Sequence, residues 1–148
     1  MSGPARSRRP DSPMDPVRQR LLEVRKGLLR LHKTLIDSER ALYEREHGPM
    51  TNGEFLQALL NEQFFAWLRP YSGLIVELDE ALHGGEAVTE AEARSYVEQV
   101  RALVASGDDT ADEGRYHEVV RRDTDVLLAH VELNSRIQDA TRDDDRAA

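Results

Sequence analysis

Four side chains able to bind a metal or carry a proton fall on two apolar helix faces of this sequence, an imidazole and a carboxylate on each. His32 and Glu39 stand seven positions apart in a segment whose leucines recur every three or four residues, and Asp123 and His130 repeat that spacing near the other end. At about 100° per residue, Glu39 falls near the middle of the leucine stripe and His32 towards its edge. His130 centres the later apolar face, with Asn134 one turn on. Imidazole and carboxylate are the donors a cysteine-free bundle can offer to iron, manganese or zinc. His32, Glu39, Asp123 and His130 therefore form one candidate metal set. A spacing of seven separates each pair by about 10 Å along its helix, so neither helix chelates alone and the two faces have to meet. The competing reading is a hydrogen-bonded network in which Glu39 and Asp123 meet His130, Arg69 or Tyr71, because buried charge must be paired.

Three further groups carry a weaker signal. Glu44-Arg45-Glu46-His47 matches a Glu-x-x-His pair, but His47 stands beside Gly48 and reads as a cap on the end of a helix. Glu113 and His117 share a turn, and His117 is directed about 140° away from His130 by the same arithmetic. Trp67, Arg69 and Tyr71, beside Phe64 and Phe65, have the composition of a recognition patch or an apolar ligand pocket. Burial of the single tryptophan in the core is the plainer alternative.

The elements that must position these residues are helical throughout. Leu21, Val24, Leu28, Leu31, Leu35 and Leu42 predict a long helix from Val17 to about His47, with Pro16 in its first turn and His47-Gly48-Pro49 as its stop. Gly27 inside it marks a bend or a close helix approach. Thr51-Asn52-Gly53-Glu54 reads as a capping box opening a second helix that carries Phe55, Leu56, Leu59, Leu60 and Phe64. Arg69-Pro70 forces a break, and Tyr71, Leu74, Ile75, Leu78 and Leu82 define a third helix ending at Gly84-Gly85. A second box at Thr89 to Glu92 opens a fourth helix that ends near Gly107. A third box, on Thr110 to Glu113, opens a last region with Tyr116, Val119, Val120, Val126, Leu127, Leu133 and Ile137 inward, which Asp123-Thr124-Asp125 can recap and bend. The expected fold is all-α, a bundle of four to five helices over 16–138, with a disordered basic arm at 1–15 and a disordered acidic tail at 139–148.

Composition narrows the function classes. Among 148 residues there is no cysteine, which removes disulfides and thiolate chemistry. A net charge of -8 disfavours nucleic acid and anionic membrane as partners. No apolar run approaches the roughly 18 residues needed to span a bilayer, and Arg6, Arg8 and Arg9 are not followed by a signal-type apolar segment, so a cytoplasmic location is expected. No Gly-rich phosphate loop, Gly-x-Ser-x-Gly elbow, His-Glu-x-x-His motif or dinucleotide fingerprint occurs.

The segment Phe65-Ala66-Trp67-Leu68-Arg69-Pro70, with Leu31-His32-Lys33 upstream and Leu128-Ala129-His130 downstream, resembles a group of small, uncharacterised bacterial helical proteins with no assigned activity. The resemblance covers roughly residues 17–137, implies an all-helical fold and supplies no functional residues. The expectation is a non-catalytic interaction or regulatory protein, dimerising through an exposed apolar edge. The alternatives are an oxidoreductase-like metal bundle on the four residues above, or a small-ligand binder lined by Trp67, Tyr71 and the leucine stripes.

Overall fold

The leucine spacing of the first segment produces one 32-residue helix, α1, Pro16–His47. Asp15 caps it: its carboxylate accepts from the amides of Val17 at 3.0 Å and Arg18 at 3.3 Å, satisfying donors that have no partner inside the helix. At the far end Gly48 adopts φ +91° and donates its N–H to the Glu44 carbonyl at 2.8 Å, a conformation glycine takes without a Cβ clash. His47 Nδ1 lies 3.1 Å from the Tyr43 carbonyl and its ring stacks on Tyr43, the terminal role its position predicted.

The computed structural model describes residues 15–105 and 113–147, the side chains of 113 and 143–147 excepted. After α1 come α2, Asn52–Asn61; a 3₁₀ turn, Gln63–Leu68; α3, Arg69–His83; α4, Glu90–Val104; α5, Glu113–Arg122; and α6, Thr124–Ala147. The described residues contain no strand, so the fold is all-α as expected, but with six α-helices rather than four or five. Both boxes at Thr51 and Thr89 form, each threonine hydroxyl accepting from the third amide onward while the glutamate reaches back. The basic arm, apart from Asp15, and the box on Thr110 lie outside the described residues.

Three expectations need correction. The last region is two helices, because Asp123 Oδ1 accepts from the amides of Asp125 at 2.9 Å and Val126 at 3.4 Å and restarts the chain as α6. That helix does not end near Asp139: Ala140 is buried, and Thr141 Oγ1 accepts from Arg101 at 2.7 Å while donating to the Ile137 carbonyl. Leu56, Leu60 and Leu127, expected with the apolar faces, are exposed.

Helix α1 runs antiparallel to α6, as Glu23 with Arg136, Gly27 with Leu133, and Arg30 with Glu132 show. Arg25 with Asp79 places α3 on another side, and Arg20 with Glu90 places α4. The core between them is aliphatic, with Leu21, Leu28, Leu31, Leu35, Leu78 and Leu133 essentially inaccessible to water. At Gly27 α6 packs closely on α1: a Cβ there would stand 2.9 Å from Leu133 Cδ1 and 3.3 Å from the Leu133 Cα.

Gly27→Ala is therefore expected to destabilise the protein in urea unfolding, since overpacking costs about 1–3 kcal/mol against a helix-propensity gain of about 1 kcal/mol. Gly73→Ala is the control. It sits in α3, where an added Cβ would meet no atom within 4 Å, so it is expected to stabilise by about 0.5–1 kcal/mol. Equal effects at the two sites would contradict the close approach of α1 and α6.

Candidate functional site

Glu39 is fully buried in the middle of the α1 stripe. The carboxylate is met by three side chains from two other elements, two of them hydrogen-bond donors. Trp67 Nε1, in the 3₁₀ turn, donates to Oε2 at 2.9 Å. Arg122 Nη2, at the end of α5, donates to Oε1 at 3.0 Å and to the buried Ser38 hydroxyl at 3.0 Å. Arg115, two turns earlier on the same helix, brings Nη2 to 2.6 Å from Oε2. This last contact is an ion pair without an aligned N–H, and Arg115 Nε is buried with no acceptor. The Arg115 guanidinium lies 4.4 Å above the Phe64 ring, which adds a cation–π contact.

A second polar group adjoins this one through a chain of rings. Trp67 meets Tyr71 edge-on, Tyr71 stacks on Tyr116 at 6.0 Å, and Tyr116 leans on His130. The Tyr116 hydroxyl is 2.6 Å from His130 Nδ1, and Asn134 Nδ2 is 3.1 Å from His130 Nε2. Burial, with Tyr71 adding to it, holds the Tyr116 hydroxyl far above its usual range, so it is a neutral hydrogen-bonding group and no base. Burial lowers the His130 pKa, and His117 lowers it further. Burial also lowers that of His32.

The four residues of the candidate metal set do not come together. Glu39 has both oxygens engaged by cations and an indole, Asp123 caps α6, His130 has both nitrogens engaged, and His32 is half-buried on α1. Among the described residues no group of three or more His, Asp or Glu side chains is arranged to hold a metal. The network reading is right that Glu39 is paired, but the partners are Arg115, Arg122 and Trp67, where His130, Arg69 or Tyr71 were expected. His117 is near enough to His130 for its charge to oppose the protonation of that ring.

Trp67 and Tyr71 are core residues and form no surface patch. Arg69 is exposed and donates to the Leu60 carbonyl at 2.9 Å, closing the end of α2. Sequence reasoning missed Arg115 and Arg122. The available signal was their spacing of seven, which puts both on the α5 edge beside Tyr116 and Val119. A cleft of about 250 Å³ lies beside Arg122, walled by Thr34, Ser38, Arg45, Asp123 and Asp125 among others. Its polar groups have mixed charge, and neither Trp67 nor Tyr71 reaches it. Comparison of the chain with protein-family models, with curated proteins and with solved structures gave no match.

Glu39→Gln is expected to lower stability by about 3–5 kcal/mol, because it removes one partner of a buried ion pair and leaves two guanidiniums without a counter-charge. Denaturant unfolding followed by Trp67 fluorescence measures this, and a loss under about 1 kcal/mol would be that of a surface pair. Stability should also fall with acid. His32 and His130 have folded pKa values below the ordinary 6.5, so the unfolded chain takes up protons that the folded chain refuses. Their contribution is whole above 6.5 and is lost as pH falls through 6.5 towards the folded values. The double variant His32→Gln, His130→Gln is expected to flatten melting temperature against pH between about 7 and 5. An unchanged slope would assign the acid loss to other groups.

Proposed function

We propose that this chain is a non-catalytic helical-bundle protein that works by contact with another polypeptide through the outer face of α6. The observation that supports this reading is the exposure of Leu127, Leu128 and Val131, at 42%, 58% and 55%, on a helix whose opposite side is buried in the core. Leu128 and Val131 continue as Ser135 and Gln138 at alternating steps of three and four, an uncharged stripe of the kind along which a second helix lies. The side chains with chemical potential point the same way, since Glu39, Tyr116 and His130 are engaged between helices and Asp123 caps α6.

No helix among the described residues is long and apolar enough to cross a membrane. A cytoplasmic location is part of the proposal, supported by the absence of cysteine and by the acidic charge. Specific interfaces bury about 1,200–2,000 Å², more than three side chains supply, so the contact is expected to be weak and concentration-dependent.

A second copy is the partner to test first. Light scattering at rising concentration is expected to show reversible dimerisation that Leu128→Asp and Val131→Asp each abolish, with the helical circular dichroism unchanged because both side chains are exposed. A wild-type chain that remains monomeric at the highest soluble concentration would overturn self-association. An assembly indifferent to both substitutions would remove α6 as the contact face.

A further inference from the structure

The cleft of about 250 Å³ beside Arg122 collects charges of both signs. One wall is α1, with Asp37, Ser38 and Arg45, and the other is the junction of α5 with α6, with Arg122, Asp123 and Asp125. Among the described residues the two arginines pair with none of these aspartates: Arg122 is held by Glu39 beneath the cleft, and Asp37 takes Lys33 from outside it. We propose that the cleft binds a small zwitterion, an amino acid with a short side chain, its carboxylate on Ser38, Arg122 and Arg45 and its ammonium on Asp125 and Asp37.

The donor side combines a buried hydroxyl with two guanidiniums. Ser38 is 7% exposed; its oxygen accepts from Arg122 Nη2 at 3.0 Å, and its own O–H has no acceptor among the described residues. A buried donor without a partner is costly, so this hydroxyl calls for an acceptor placed in the cleft it lines. Arg122 Nη2 also donates to Glu39, while Nη1 and Nε are unbonded among the described residues and remain for a ligand oxygen. Arg45 is exposed and makes no ion pair among the described residues.

The charges are sorted along the cleft. Asp37 and Arg45 stand eight residues apart on α1, about 12 Å along its axis. The chain passes from Arg122, bonded to Ser38, down α6 to Glu132 beside Arg30, so α6 carries Asp125 towards Asp37 and away from Arg45. Asp37 and Asp125 therefore form an acidic end and Arg45 a basic end, with Ser38 and Arg122 between. Asp123 gives Oδ1 to the amides of α6 and Asp37 gives Oδ2 to Lys33, which leaves each a second oxygen, and the Asp125 carboxylate is unpaired among the described residues. A lone anion here meets three carboxylates, and a lone cation meets two guanidiniums. A molecule carrying both charges, oriented with the gradient, is attracted at each end. At about 30 Å³ per water the volume equals roughly eight waters, room for a short amino acid and below the roughly 300 Å³ at which sites for larger ligands begin. Leu127, Leu128 and Val131 do not line this space, so the site is independent of the α6 contact face.

Heteronuclear NMR titration of the full chain at pH 7 tests the assignment, with L-alanine as the probe and propionate and ethylammonium as its singly charged analogues. L-Alanine is expected to give saturable shifts confined to Thr34–Arg45 and Arg122–Val126, with a Kd at least about tenfold below that of either analogue. Arg45→Gln and Asp125→Asn, both at exposed positions, are each expected to raise that Kd about tenfold while the helical circular dichroism stays unchanged. The absence of saturable shifts with L-alanine, equally tight binding of propionate or ethylammonium, or binding indifferent to either substitution would overturn the proposal.

Discussion

A carboxylate with no access to water sits in the leucine stripe of the longest helix, and the surrounding structure has to supply its counter-charge. Desolvating Glu39 is costly unless charged donors reach it in good geometry. Arg115 and Arg122 come from α5 and the indole of Trp67 from the 3₁₀ turn, so satisfying one side chain fixes the placement of two elements on α1. The arginine side chains are about a quarter exposed, 27% and 29%. Their excess positive charge is thereby left partly hydrated, which keeps the group from being a fully buried cation pair. The aromatic chain from Trp67 through Tyr71 and Tyr116 to His130 continues the same constraint across the interface of α5 with α6.

The rest of the bundle is held by ordinary packing. The missing side chain at Gly27 lets α6 approach α1 closely, and the antiparallel pairing that follows carries Glu39 towards Arg122. This joins the apolar core to the polar one: if the two helices stood further apart at Gly27, α5 would hang from α6 at a different height and its arginines would miss the carboxylate. It also turns one face of α6 outward. Part of that face is apolar, and this is the observation behind the proposed interaction role.

Much of the fold is legible in the residues. The leucine period, the Thr51 and Thr89 boxes and the Gly48 stop each state a local rule that nothing distant overrides, and those helices appear where the rules put them. The break at Asp123 is also written locally, but whether it bends or divides a helix depends on tertiary packing. The continuation of α6 past Asp139 was hidden by a composition of Asp, Arg and Ala that reads as solvated tail, while the burial of Ala140 and the bond from Arg101 to Thr141 depend on α4 lying alongside. Glu39 was identifiable as a buried charge from periodicity alone. Its partners were not, because an arginine on an amphipathic edge gives no sign of which carboxylate, more than 70 residues away, it meets.

The central claim is that Glu39 and the α5 arginines are energetically one unit, and a double-mutant cycle on Glu39→Gln and Arg122→Gln, measured by urea unfolding, addresses it most directly. Removing the second partner after the first should cost little, giving a coupling of about 1–3 kcal/mol. Additive losses from the two substitutions would contradict the account, since each side chain would then be stabilising the fold independently of the other.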